Sequence, residues 1–234
     1  MNTHTPPTII AFASPKGGVG KSTACLSIAG ALAHMGHKVQ IIDFDQTQTL
    51  WRWYATNETA RNIPGLTVEP GPQGDISSFV EDVYYKRDGY VLIDLAGTLT
   101  NQMLHLAVFA NLTITPAQLS EPDILEANKL SVQLQEIGVR IGKPIVHRVL
   151  LNTVPFILAG SQSYMLEQID ANGIARFETL MHYRPAYSES FLTGVPPHFA
   201  DRGRPPMAKA AHELDSIVNE VLLAISQDQQ KAAA

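Results

Sequence analysis

Two lysines bracket a run of glycines in Ser14-Pro15-Lys16-Gly17-Gly18-Val19-Gly20-Lys21-Ser22-Thr23, and the chemistry such a run can do is anion binding. Gly17, Gly18 and Gly20 permit backbone conformations closed to other residues, so several N–H groups can converge on one phosphate. A helix beginning near Lys21 adds its positive end. Lys21 can then reach β- and γ-phosphates, and the Ser22 hydroxyl can ligate magnesium. The spacing departs from the general pattern G-x-x-x-x-G-K-[ST] at one place, where Pro15 stands for the first glycine. The bland alternative is a glycine-rich strand-to-helix turn with two solvated lysines. The flanking pattern argues against it, because an apolar run precedes the loop and a helical one follows.

Three aspartates extend this chemistry. Asp43 and Asp45 close one apolar run and Asp94 closes another. Carboxylates at the C-terminal ends of parallel strands lie on the edge where open α/β sheets bind ligands. Taken alone, Asp43-Phe44-Asp45 is as often a cap or turn as a site. Next to a phosphate loop, a functional role outweighs the cap. Asp94 ends Tyr-Val-Leu-Ile-Asp, the form of a Walker B strand whose carboxylate holds magnesium, often through water.

The elements that must position these groups follow from periodicity. Short apolar runs at residues 8–13, 38–43, 90–95, 111–116 and 146–152 read as buried strands, and residues 66–69 as a short edge strand. Helical spacing marks residues 22–35, 76–87, about 123–138 and about 207–226, and a helix begins near residue 49. Trp51, Trp53 and Tyr54 read as packing residues rather than a base-stacking platform. Residues 184–206, with five prolines, read as a loop. Strands alternating with helices predict an α/β fold: a doubly wound, mostly parallel sheet with helices on both faces. We expect one domain over residues 1–234, with 1–7 and 227–234 as flexible ends.

Composition narrows the classes. Hydrophobic residues make up 45% and charged residues 17% of 234, enough to bury a large core. One cysteine, Cys25, excludes an internal disulfide or an all-cysteine cluster within one chain and fits a cytoplasmic setting. The first residues lack a basic n-region and the apolar run after them is short, so neither a signal peptide nor a membrane span is expected. The eight histidines show no metal-ligand spacing such as H-E-x-x-H. The net charge of −5 is unevenly placed: residues 140–209 carry eight Lys/Arg against five Asp/Glu. That stretch is where a basic face is expected.

The string Lys16-Gly17-Gly18-Val19-Gly20-Lys21-Ser22-Thr23 resembles the deviant Walker A box of the ParA/MinD family of P-loop ATPases, in which the position of Pro15 is variable. The resemblance implies that Lys16 is the family's signature lysine, crossing a dimer interface to the partner's nucleotide, with ATP and Mg²⁺ bound by residues 15–23. It implies that Asp45 positions the attacking water, Asp43 supports the magnesium shell that Ser22 and Asp94 complete, and Gly97 contacts the γ-phosphate through its backbone. Asn152 is similar to an adenine-contacting asparagine, although a turn cap explains it equally well, and Pro196 in Gly194-Val195-Pro196 to a residue packing near adenine. The absence of an Asn-Lys-x-Asp motif favours ATP over GTP.

The chain looks like the small plasmid-partition type. The resemblance then implies an ATP-dependent homodimer that binds DNA without sequence preference on the nucleoid in the cytoplasm. It also implies slow hydrolysis, stimulated by a small centromere-binding protein of the ParB or ParG kind. Arg202, Arg204 and Lys209 are the first candidates for DNA contact. A VirC-like accessory ATPase of conjugative transfer, meeting a relaxosome component, shares this outline. A MinD-like membrane ATPase is less favoured, because Glu213, Asp215, Glu220 and Asp228 make the polar face of the last helix acidic where a membrane helix needs basic residues.

Overall fold

The computed structural model describes residues 5–72, 74–98 and 100–233; Met1–His4 and Ala234, which belong to the expected flexible ends, lie outside the described residues. The first half of the chain runs β1 (Thr8–Phe12), α1 (Lys21–His34), β2 (Val39–Asp43), α2 (Thr49–Thr56), α3 (Glu58–Arg61), β3 (Leu66–Pro70), α4 (Ile76–Lys86) and β4 (Tyr90–Asp94). The second half runs α5 (Asn101–Phe109), β5 (Leu112–Ala117), α6 (Glu121–Ile141), β6 (His147–Val154), α7 (Gly160–Ala171), β7 (Met181–His182), α8 (Pro185–Thr193) and α9 (Pro205–Ala233).

The strands form one sheet in the order β3-β2-β4-β1-β5-β6-β7, every pairing parallel. Strands this apolar need cover on both faces, and the helices supply it. Ile10 and Phe12 face the layer of α1, α2, α8 and α9, while Ile9 and Ala11 face α4, α5 and α6. The chain leaves β1 for β2 and β3 on one side, returns through β4, and crosses to β5 on the other. That reversal opens a crevice at the carboxyl edge beside β1, where ligands of open α/β sheets bind. Register does the rest. Asp94 pairs with Phe12 across β1 and with Asp43 across β2, so both predicted carboxylates stand side by side at that edge.

Some differences from the sequence reading have physical causes. Helix α1 is buried on nearly every side, because α9 packs over the surface opposite the sheet. Its Gly30 shows how closely its neighbours approach: an added Cβ would sit 2.5 Å from the Pro196 ring. Residues 184–206 are not all loop, since α8 occupies the first third, opened by Pro185 and closed by Gly194 in a left-handed conformation. Helix α9 does not stop at Ser226 but continues to Ala233. Trp53 packs as expected, its indole N–H donating to the Ser190 carbonyl at 2.9 Å.

Candidate functional site

The glycine loop turns the end of β1 into the start of α1. Gly18 and Gly20 take φ of 77° and 88°, and Gly20 is the residue from which α1 begins, so the loop's conformation depends on residues without a side chain. Lys21, in the first turn, is 7% exposed. Gly97 comes against the loop from β4. A Cβ there would lie 3.0 Å from the Gly17 Cα and 3.3 Å from Lys21 Nζ. A cavity of 520 Å³ opens over the loop glycines and Lys21, lined also by Ser22, Thr23, Asp45, Thr47, Thr49 and Phe191. Lys16 does not line it.

Asp94 is fully buried, and its Oδ2 accepts the Ser22 hydroxyl at 2.6 Å. Its Oδ1 is buried without a hydrogen-bond partner among the described residues. Such an oxygen is costly unless a cation or that cation's water completes it, so the donor set fits magnesium. Burial, with the negative charge of Asp43 adding to it, pushes the Asp94 carboxyl up to about 7, against the pull of Ser22 and Lys21. The sign matters. A carboxyl raised in the fold costs stability in full above about pH 7, and the cost fades as pH falls toward its ordinary 3.8. We therefore expect Asp94→Asn to stabilise the nucleotide-free protein at pH 8, by about 1–4 kcal/mol, while weakening magnesium-dependent nucleotide binding. Melting curves from pH 8 to pH 5 check it. The gain should shrink on acidification, and a variant less stable than wild type at pH 8 would show that Asp94 is already satisfied.

Asp43 is differently engaged. Its Oδ2 accepts the N–H groups of Leu50 and Trp51 at 2.9 and 3.0 Å, and its Oδ1 accepts that of Asp45 at 3.0 Å. The buried carboxylate thus caps α2 and shapes the Asp45 loop, and burial outweighs these hydrogen bonds in raising its pKa. Asp45 itself is partly exposed at the cavity wall. Its Oδ1 accepts both the N–H and the hydroxyl of Thr47, at 2.8 and 2.6 Å. Gln48, at φ 49°, completes this turn.

A second recess of 210 Å³ adjoins the loop at Gly20 and Thr23, between β6 and α8. Asn152 forms its floor. The side-chain amide donates to the Val19 carbonyl at 2.6 Å and accepts the Thr153 hydroxyl at 3.0 Å, while Gly20 has no room for a Cβ beside it. Thr153 takes φ 55°, a strained conformation for a β-branched residue, at the irregular step between Asn152 and Val154 in the pairing of β6 with β7. Asn152 therefore braces the phosphate loop. Tyr183, Arg184, Tyr187 and Phe191 complete the recess, none of which the sequence reading singled out.

The structure does not bring Pro196 to this site. Its ring fills the space beside Gly30, ten residues down α1 from Gly20 and so about 15 Å from the loop. Arg202, Arg204 and Lys209 are all exposed near the start of α9, with Arg204 paired to Glu189 at 3.1 Å. The acidic face expected for α9 is also revised. Glu213 is buried and accepts from Arg184, His182 and Tyr187, and Glu220 accepts the N–H groups of Glu178 and Thr179. These carboxylates dock α9 on the β7–α8 region. Among the described residues no helix is long and apolar enough to cross a membrane.

Lys16 points away from its own cradle. Its ammonium pairs with Asp123 in the first turn of α6. Nothing in the sequence reading indicated Asp123 beyond its place near the start of an expected helix; in the structure Ser120 caps that helix three residues before it.

Comparison with known proteins places these features. The family model of the CobQ/CobB/MinD/ParA nucleotide binding domain matches residues 10–197. The chain is similar to the ParA protein of Rhizobium radiobacter, with 27% identity over 227 residues covering 94% of this chain and 98% of that one. It is similar to the VirC1 protein of the same organism, with 29% identity over 188 residues, 77% of this chain and 78% of that one. Its fold matches that of a plasmid partition protein from Borrelia burgdorferi bound to AMPPNP, with a TM-score of 0.66 and 15% identity over 92% of this chain and 99% of that one.

Proposed function

The chain belongs to the CobQ/CobB/MinD/ParA nucleotide-binding family, and from that membership and the cradle geometry we propose that it is an ATPase of DNA partition. In this reading ATP drives dimerisation, the dimer binds DNA without sequence preference on the nucleoid, and a centromere-binding protein stimulates hydrolysis. The observation that carries the reading is the division of labour between the two loop lysines. Lys21 is buried at the cavity, whereas Lys16 does not line it: its half-exposed side chain is turned outward from the loop and paired with Asp123. Nearly full-length similarity to a ParA protein supports the same class.

The residues divide the chemistry among them. The N–H groups of residues 17–23 and the Lys21 ammonium hold the β- and γ-phosphates. Ser22 Oγ and Asp94 Oδ1 would hold magnesium, which supplies positive charge to the phosphate oxygens; Asp43 stands behind them and fixes the Asp45 turn. Asp45 orients the water and accepts its proton, and the Gly97 backbone meets the γ-phosphate. Adenine would enter the recess over Asn152, with Tyr187 and Phe191 at its walls.

DNA binding gives the direct test. Phosphate-mediated binding should appear with ATP and not with ADP, and should weaken steeply with salt. Replacing Arg202, Arg204 or Lys209 by alanine should lower the logarithmic salt slope by about one for each residue that contacts phosphate. Fluorescence anisotropy with random duplex DNA reads both quantities. Indifference of the ATP-bound protein to DNA at low salt would remove the partition reading. The VirC1 similarity favours a second reading, a conjugative-transfer ATPase. It predicts co-purification with a relaxosome component rather than with a centromere-binding protein.

A further inference from the structure

Lys16 already has an anionic partner inside its own chain. The ammonium pairs with Asp123 Oδ1 across the opening between the β1–α1 loop and α6. The two members are unequally held. The Asp123 side chain is 2% exposed, its Oδ2 accepts the Gln118 N–H at 3.0 Å, and its own N–H donates to Ser120 Oγ at 3.4 Å. The Lys16 side chain is 47% exposed and stands on a loop. When the pair opens, the carboxylate stays behind, supported by Gln118 and by the positive end of a 21-residue helix. The lysine has a path to solvent. Lys16 is therefore the movable member of the pair.

Resting on the reading that Lys16 acts across a dimer, we propose that Asp123 is a positioning residue that latches Lys16 within the monomer, and that the dimer forms by exchanging this carboxylate for phosphate on the partner's nucleotide. A single ammonium cannot satisfy both, because Asp123 is fixed by α6 and cannot follow. The exchange ties oligomeric state to nucleotide state. ADP offers no γ-phosphate to compete with Asp123, so the latch stays closed; ATP offers one, and the latch opens only when a second loaded subunit arrives. Asp123 thereby sets the threshold for dimerisation without touching the cradle of its own chain.

Asp123→Asn tests this, since asparagine keeps the size and the acceptor for Gln118 while losing the charge. Sedimentation with a slowly hydrolysed ATP analogue should show the dimer dissociation constant falling about fivefold, because each of the two subunits gives up one half-exposed ion pair worth about twofold. Asp123→Glu, which keeps the charge, should stay within about twofold of wild type. In a Lys16→Ala background, which forms no dimer, Asp123→Asn should not restore one, because the carboxylate acts only through the lysine. A dimer unchanged or weakened by Asp123→Asn, while Lys16→Ala still abolishes it, overturns the latch and leaves the lysine's role across the interface standing. A Lys16→Ala protein that dimerises like wild type removes both. If Asp123→Asn folds poorly, the wild-type chain decides through a zero-length carbodiimide crosslink read by mass spectrometry. The Lys16–Asp123 link should form with ADP and vanish in the ATP-analogue dimer, and its equal presence in both overturns the exchange.

Discussion

Lys21→Ala is expected to lose nucleotide binding, at least about 100-fold by calorimetry with ATP and magnesium. The expectation follows from where the ammonium sits. It is nearly buried beside Gly17 and Gly97, in a cavity whose other phosphate donors are backbone N–H groups. Removing the cation leaves phosphate charge desolvated and unmatched, at a cost of about 3 kcal/mol or more. A second loss compounds the first. Lys21 is one of the groups pulling the Asp94 carboxyl down. Without it that carboxyl is more readily protonated near neutral pH and a poorer magnesium ligand. Lys21→Arg should not rescue, because the space beside Gly97 is already closed and a planar guanidinium needs more of it. An affinity for ATP within threefold of wild type in the alanine variant would refute the cradle.

What the sequence made legible was chiefly what one residue type at one spacing can do. The glycines and lysines of the loop, and aspartates ending apolar runs, fix their own surroundings: a parallel strand of five residues delivers its last side chain to the sheet edge wherever it lies in the order. Hence Asp43 and Asp94 are neighbours as expected, through a register no sequence pattern states. Roles that depend on a third element were not legible. The resemblance implies that Asp43 supports the magnesium shell; that its carboxylate also accepts the backbone N–H groups of Asp45, Leu50 and Trp51, and so caps α2, is stated by no sequence pattern. Glu213 sits in a helix whose polar face looked acidic, and only the arrival of Arg184, His182 and Tyr187 makes it a buried anchor.

The elements missed share a cause in the local signal. Helix α7 buries only Ile169, so it lacks the apolar stripe that periodicity detects. Helix α5 is nearly continuous in apolar residues from Met103 to Phe109, which hides its period. Helix α8 carried the right punctuation, proline at the start and glycine at the end, inside a stretch whose proline content suggested loop. That helix matters to the site, because Tyr187 and Phe191 on it wall the recess beside the phosphate loop, while the residue expected there, Pro196, is held against α1.

Asp45→Ala should stop hydrolysis while leaving nucleotide binding and dimerisation in place. The side chain lies partly exposed at the cavity wall, and its hydrogen bonds are to Thr47 within its own turn rather than to Lys21, Ser22 or Asp94. Losing it removes the acceptor that orients water, which general-base losses put at about 10²–10⁴-fold in rate. The turn itself is retained by Asp43, whose capping of α2 does not pass through the Asp45 side chain. The variant should therefore accumulate as an ATP-bound dimer, visible by light scattering, long after wild type has returned to monomer. Lys16→Ala should do the opposite, binding ATP as a monomer without forming the dimer, because its ammonium stands outside its own cavity. The two variants separate hydrolysis from assembly in a way a self-contained P-loop enzyme cannot reproduce: there, Lys16→Ala would leave assembly and turnover alike untouched. Were Asp45→Ala to hydrolyse ATP within tenfold of wild type, the water would have to be oriented from elsewhere on the cavity wall, and Thr47 and Thr49 would be the residues to replace next.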